Sequence, residues 1–294
     1  MKSGYVAVIG RANAGKSTLV NVLVGEKVAI VSPKPQTTRD RILGVLTEED
    51  YQIAFVDTPG LYKADNLLNS IMQKTALDTT ADVDVILFVL DAHDGISEAD
   101  EKFIEKFSSI DKPFILVLTK TDIMPESLLI SELKRLSGKD YDIVPVSARK
   151  GKNVKNLIKV ILSRLPDGEK LFEQDIVSDR SVRFMIGEIV REKILLKFDK
   201  EIPHGVAVII NEFKEREDKK VYNVSVDIVC EKPNHKAILI GKGGSAIREV
   251  SSFARKDMEK LLDKKVFLTT YVKVKEDWRN SAQLTKEYGY GDDN

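Results

Sequence analysis

The sequence predicts two α/β domains: a mainly parallel sheet covered by helices on both faces, then a smaller α+β unit. Three observations predict this. The first 165 residues alternate Val/Ile/Leu-rich runs with helical spacing, as buried parallel strands do. Pro166-Asp167-Gly168 and an acidic stretch through Asp179 then interrupt the pattern. From Ser181 the order changes to helix, two strands, two helices and a strand. At 294 residues the chain is also longer than one core usually organises.

Taken in order, Tyr5–Ile9 reads as a strand, followed by a glycine-bearing turn and a helix over Lys16–Leu23. Arg41–Leu46 and Ile53–Val56 read as paired strands, and Val83–Asp91 as a buried one. Glu98–Phe107 has helical spacing, Phe114–Thr119 is a strand, and Ser127–Leu136 a helix. Ile143–Val146 and Asn153–Leu165 close the first pattern as strand and helix. The second comprises a helix over Phe184–Phe198 and strands over Gly205–Phe213 and Tyr222–Cys230. A short helix near Asn234–Ile240, a turn at Gly241–Gly244, a helix over Ser245–Leu262 and a strand over Lys265–Val274 complete it. The expected domains are therefore 1–166 and 181–280, joined by a linker over 167–180 and followed by a tail, 281–294, disordered beyond Trp278.

Composition narrows the function classes. Apolar residues form 43% and charged residues 31%, a globular rather than disordered profile. The longest apolar run, Val85–Leu90, is far short of the roughly 20 residues that span a bilayer, and the expected location is the cytoplasm. One cysteine, Cys230, excludes a disulfide framework and reads as a core residue on a strand. Three scattered histidines propose no metal cluster. The net charge is zero, yet His235–Arg279 holds 11 basic against 6 acidic residues. Such a stretch is either a solvated helix face or a polyanion surface.

Gly10, Arg11, Ala12, Asn13, Ala14, Gly15, Lys16 and Ser17 match the phosphate-binding loop G-x-x-x-x-G-K-[ST], between a strand and a helix as the mechanism requires. The loop's N–H groups and the helix N-terminus, through Thr18, face the phosphates. Lys16 reaches the β and γ oxygens, and Ser17 gives a hydroxyl to Mg²⁺. Asp57, Thr58, Pro59 and Gly60 follow a strand, where Asp57 can hold a Mg²⁺-bound water and Gly60 can offer its N–H to the γ-phosphate. Thr119, Lys120 and Asp122 end another strand. A carboxylate there accepts two hydrogen bonds from the N1–H and 2-amino group of guanine, a donor pair that adenine lacks. Ser147 and Ala148 follow a fourth strand and can offer an N–H to the guanine O6. The four motifs together point to GTP and its hydrolysis.

Ile240, Gly241, Lys242, Gly243, Gly244 and Ser245 form a G-x-x-G turn between two helices, in the chain order of a type II K-homology domain. In that module the turn clamps a nucleic-acid backbone. Arg248, with Arg255 and Lys256, continues a basic stripe on the following helix. These residues are accordingly read as RNA-binding, with a tight helix–helix turn bearing a solvated basic face as the plainer alternative.

Over roughly Ser3–Arg279 the sequence resembles the Era-type ribosome-assembly GTPases, through these motifs and through Glu201-Ile-Pro-His-Gly205. The resemblance implies a P-loop GTPase domain followed by a K-homology domain. It implies Mg²⁺-dependent hydrolysis of GTP and binding to the 3′ end of small-subunit ribosomal RNA in 30S assembly. Peripheral association with the inner face of the membrane is also implied, and the chain is expected to be a monomer. Pro35-Gln-Thr-Thr-Arg-Asp40 resembles the first switch segment, in which Thr38, with Thr37 as fallback, would meet Mg²⁺ and the γ-phosphate. Asn13 either supports a K⁺ ion, as in similar proteins, or simply favours the turn. Two positions depart from the common pattern: Thr119 stands where Asn is usual, and Leu61 where many GTPases orient water with Gln. A different class of function remains open, a GTPase whose C-terminal module is a regulatory protein-interaction domain without RNA binding.

Overall fold

The computed structural model describes residues 1–61, 65–91, 93, 95–217 and 220–290. It divides into two compact units, Met1–Val31, Thr38–Lys63 and Met72–Asp179 forming one, and Ser32–Thr37, Ala64–Ile71 and Arg180–Asn294 the other. Among the described residues no helix is long and apolar enough to cross a membrane.

The first unit is a six-stranded sheet in the order β2-β3-β1-β4-β5-β6. Its strands are β1 (Lys2–Gly10), β2 (Ile42–Thr47), β3 (Tyr51–Asp57), β4 (Val85–Asp91), β5 (Phe114–Thr119) and β6 (Asp142–Pro145). Only β2 runs antiparallel, paired to β3 at the edge. β1 lies between β3 and β4, both parallel to it. Residues of β1, β4 and β5 are almost wholly buried, since helices cover both faces. Alternate side chains feed two cores: Val6, Val8, Val85 and Leu87 in one, Ala7, Ile9, Ile86 and Phe88 in the other.

The helices of the first unit are α1 (Lys16–Val24), the part of α2 (Leu67–Asp78) from Met72 on, α3 (Glu98–Ser108), α4 (Glu126–Leu136) and α5 (Val154–Arg164). The sequence reading passes over α2, although Leu68, Met72 and Ala76 recur every four residues and are fully buried. Residues 167–179, expected as a linker, lie along the first unit. Val177 accepts a hydrogen bond from the Val45 N–H, and Gln52 binds the backbone of Leu171 and Phe172. Phe172 meets Tyr5 edge to face. These contacts hold the segment through backbone partners that composition does not reveal.

The second unit packs α6 (Val182–Lys197), α7 (Pro233–Ile240) and α8 (Ser245–Leu262) on one face of a three-stranded sheet. Its strands, β7 (Ala207–Glu215), β8 (Val221–Cys230) and β9 (Lys265–Val274), lie in the order β7-β8-β9. β7 and β8 are antiparallel, and β8 and β9 parallel. Val224, Val226, Ile228 and Cys230 alternate onto the helix side, so Cys230 is a buried core thiol as expected. The tail departs from expectation: Ala282–Glu287 forms α9, capped by Ser281. Trp278 is fully buried, donates from its indole to the Gly205 carbonyl at 2.9 Å, and packs against Tyr288 and Tyr290. An aromatic anchor outweighs the polar composition of the tail. Residues 291–294 lie outside the described set.

Candidate functional site

The loop between β1 and α1 is shaped by its glycines. A side chain on Gly10 would place its Cβ 2.2 Å from the Val89 carbonyl oxygen, so no larger residue fits there. Gly15 takes the left-handed conformation (φ 89°) and starts α1 without a side-chain cap, leaving the first-turn N–H donors for an anion. Asn13 is also left-handed (φ 64°), a conformation Asn tolerates, and is exposed. Lys16 is buried and donates from Nζ to the carbonyls of Gly10 and Arg11, each at 3.0 Å. Burial lowers its pKa to about 8, against the opposing pull of Asp57.

Ser17, Thr38 and Asp57 converge beside the loop. The Ser17 hydroxyl donates to Asp57 Oδ2 at 2.6 Å, and Thr38 Oγ1 lies 2.7 Å from Ser17 Oγ and 3.3 Å from Asp57 Oδ2. Thr37 instead turns into its own loop, donating to the Lys34 carbonyl at 2.6 Å and lying 2.6 Å from the Ser32 hydroxyl. Thr38, not the fallback Thr37, is therefore the threonine beside Ser17. Asp57 is fully buried, its Oδ1 has no hydrogen-bond partner, and burial raises its pKa to about 6 despite Lys16 and three hydrogen bonds. A buried carboxylate with an unused oxygen between two hydroxyls is a hard oxygen set that fits Mg²⁺.

That carboxylate yields a prediction. Its pKa is raised on folding, so it favours the fold below about pH 4 and loses that advantage as pH rises through about 6. That cost is partly offset because Asp57 steadies Lys16. We expect Asp57→Asn to stabilise the nucleotide-free, metal-free protein by about 1–2 kcal/mol at pH 7.5 relative to the unsubstituted chain. Urea titrations at pH 7.5 and 4 check this: the gain should vanish at the lower pH, and a less stable Asn variant at pH 7.5 would refute it.

Thr58 donates to the Val8 carbonyl at 2.9 Å, anchoring the segment after β3, and Pro59 follows it in a buried position. Gly60 lies against the loop: a Cβ there would come within 2.7 Å of Ala12 Cα. The Leu61 N–H donates to the Gly10 carbonyl at 3.0 Å, and its side chain is buried in the core.

At the end of β5 the Thr119 hydroxyl lies 2.6 Å from the Ala14 carbonyl and 2.9 Å from that of Leu90. The shorter side chain thus braces the phosphate loop directly from the position usually held by Asn. Lys120 is left-handed (φ 57°) and pairs with Asp91. Asp122 is exposed, and the buried Ser147 hydroxyl donates to its Oδ1 at 2.6 Å, holding its pKa below the usual carboxylate range. Ala148 opens the turn that returns to Ser147 through Lys152. The structure thus joins the phosphate loop to Thr38, Asp57, Gly60 and Thr119, and separately pairs Asp122 with Ser147. It also shows contacts the motifs omit: Arg11 binds Ser97 and Asp100, and Asn21 bonds Val28 and Ala29. The Arg11 contacts join residues 86 and 89 apart and depend on the whole fold, whereas Asn21 closes a local loop seven to eight residues long.

In the second unit, Gly241, Gly243 and Gly244 take φ of 73°, 60° and 77° between α7 and α8. A Cβ on Gly241 would meet Ala246 at 2.7 Å, whereas Gly243 and Gly244 face open space. Lys242, Ser245 and Arg248 are exposed around the turn, Ile240 is half-buried, and α8 starts at Gly244 with no side-chain cap. The basic stripe is shorter than expected, because Arg255 pairs with Glu259 at 2.8 Å. Sequence reasoning missed Arg191 on α6. This buried guanidinium pairs with Glu188 at 2.5 Å and donates to the carbonyls of Gln36 and Thr37, which group with the same unit. An arginine among apolar helix positions was the sole signal for it.

Comparison with known proteins agrees with this geometry. The 50S ribosome-binding GTPase family matches residues 5–120 and the KH domain family residues 201–279. The GTPase Era of Alkaliphilus metalliredigens is 45% identical over 291 residues, covering 98% of this chain and 99% of its own. That of Alkaliphilus oremlandii is 46% identical with the same coverage. A solved Era variant from Aquifex aeolicus bound to GDP.AlF4⁻ superposes with a TM-score of 0.93 at 39% identity, over 99% of this chain and 100% of that one. Era in complex with MgGDPNP and nucleotides 1506–1542 of 16S ribosomal RNA gives 0.94 at 40% identity, over 99% of each chain. With a phosphate-loop motif, a carboxylate after the fifth strand and a glycine turn in one chain, and full-length identity of 45%, this chain belongs to the Era family of GTPases.

Proposed function

We propose that this protein is a GTP-driven switch that binds the 3′ end of small-subunit ribosomal RNA during assembly of the 30S subunit. Support for the RNA comes from the glycine turn and from the 16S complex of the similar Era structure. The observation that carries the switch is the meeting of Ser17, Thr38 and Asp57 within 2.6–3.3 Å beside the phosphate loop. Thr38 reaches that cluster from segment 35–40, so γ-phosphate-dependent ordering of that segment would move it, as a switch requires.

In this scheme Gly10–Thr18 wrap the phosphates with backbone N–H groups, and the Lys16 ammonium neutralises charge on the β and γ oxygens. Ser17 and Thr38 would ligate Mg²⁺ through their hydroxyls and Asp57 through a water. When bound, the ion supplies Lewis-acid stabilisation of the phosphate oxygens. Gly60 offers its N–H to the γ-phosphate as water attacks in line. Asp122, steadied by Ser147, accepts the guanine N1–H and 2-amino group, and Ala148 donates to O6. A cytoplasmic monomer, with peripheral contact to the inner membrane face, completes the scheme.

Leu61 is buried and cannot orient the attacking water. Basal hydrolysis is accordingly expected to be slow in sodium buffer, and to rise about tenfold or more with K⁺ at Asn13 or with a bound partner. Phosphate release in NaCl and KCl, with and without RNA, measures this. Fast turnover in sodium alone would overturn it. The function as a whole is tested by crosslinking RNA in cells to GTP-locked and GDP-bound forms. Recovery of small-subunit ribosomal RNA mainly with one form is the expected outcome.

A further inference from the structure

Among the described residues α6, α7 and α8 pack on one side of the second unit's sheet; on the other side Ala207, Asp227 and Val229 are buried at one end, and the remainder is open and has an unusual composition. On the open side the register sets Phe267 beside Asn223 and Tyr271 beside Asp227, on neighbouring strands β9 and β8. Both rings are more than half exposed, Phe267 at 57% and Tyr271 at 54%. Solvent-facing strand positions are ordinarily polar, so two rings four residues apart on one face are an unsatisfied apolar surface. The Arg216 guanidinium lies 5.5 Å from the centroid of the Phe267 ring and is held there by a 2.8 Å hydrogen bond to Asn223. Lys214, Lys265 and Lys273 share this face, against Glu212 and Asp227. Asp227 is taken up by Lys273 at 2.5 Å. Thr269 lies between the rings along β9 on the same face, with Ser225 beside it on β8.

We propose that the open face of β7–β8–β9 is a second RNA-binding surface, on which Phe267 and Tyr271 each stack an unpaired base of a single-stranded segment. Flat rings bind the faces of any base, and the surrounding excess of cations suits the phosphates between them. A folded protein partner would instead meet isolated rings ringed by lysines, a poor match to an apolar interface core. Four residues of strand separate the rings by about 13 Å, room for one nucleotide between two stacked ones. The face is distinct from the glycine turn, which clamps about four nucleotides. It rests on the RNA binding proposed above only for its class of ligand.

The test uses the full chain in its GTP-analogue form and two fluorescent unstructured RNAs, one of about 4 and one of about 16 nucleotides. Fluorescence anisotropy at fixed salt gives both affinities. Phe267→Ala/Tyr271→Ala should weaken the longer RNA at least tenfold and leave the shorter unchanged. Gly243→Asp/Gly244→Asp should weaken the shorter RNA, separating the two surfaces. Ultraviolet crosslinking should attach the longer RNA to the peptide carrying Phe267 and Tyr271. Unchanged affinity for the longer RNA overturns this proposal and leaves the glycine turn untouched, whereas failure of the unsubstituted chain to bind any RNA overturns both. A drop in sedimenting mass on substituting the rings would instead mark the face as a contact between copies, and would also overturn it.

Discussion

Replacing Asp122 by Asn is expected to lower affinity for GTP about a thousandfold and to transfer preference to xanthosine triphosphate. The Ser147 hydroxyl keeps the Asp122 carboxyl ionised and fixes one of its oxygens at 2.6 Å, so the group presents acceptors in a set direction. Guanine offers two donors to it. An Asn in the same place can still accept the N1–H through its oxygen but turns its NH₂ toward the 2-amino group, donor against donor, so that hydrogen bond is lost. Xanthine carries a carbonyl where guanine has its amino group, and so accepts from the new amide. Asp122 is exposed and Ser147 can still donate to the Asn oxygen, so stability should change little. Calorimetric titration with GTP, XTP and ATP provides the measurement. A loss smaller than tenfold for GTP, or an equal affinity for ATP in the unsubstituted chain, would mean that Asp122 does not read the base.

Replacing Gly243 and Gly244 together by Asp should reduce RNA affinity about a hundredfold while leaving GTP binding intact. Two carboxylates would sit where a phosphate backbone approaches, and like charges in contact cost several kcal/mol. Both positions have positive φ, so the substitutions carry about 1–2 kcal/mol each of backbone strain, which Asp tolerates better than most residues. A Cβ at either position would have no neighbouring atom within 4 Å, so packing is undisturbed. Gly241 is left alone because a side chain there would collide with Ala246. Anisotropy titrations over a range of salt, with a thermal melt as control, separate RNA contact from folding. Unchanged RNA affinity would favour a regulatory protein-interaction module instead.

Much of this protein is legible in its residues alone. The buried strands β1, β4 and β5 announce themselves as runs of Val, Ile and Leu because both of their faces are covered. Local chemistry likewise marks the phosphate loop, since a glycine at position 10 and a lysine at 16 are demanded by one tight turn. By contrast, α9 is hard to read because one buried Trp278 holds an element whose composition is otherwise polar, whereas α2 did carry the helical spacing of Leu68, Met72 and Ala76.

What the sequence determined by itself was the set of chemical groups and their order along the chain, because each motif lies within a few residues and is read by local backbone geometry. Tertiary structure alone decided which groups meet. It set Thr38 rather than Thr37 against Ser17, let the Thr119 hydroxyl brace Ala14 across 105 residues, and turned Phe267 and Tyr271 outward on an open sheet face. Those outcomes depend on strand register and on which face the helices cover. Both are settled by burying the whole core at once, and no short segment encodes them.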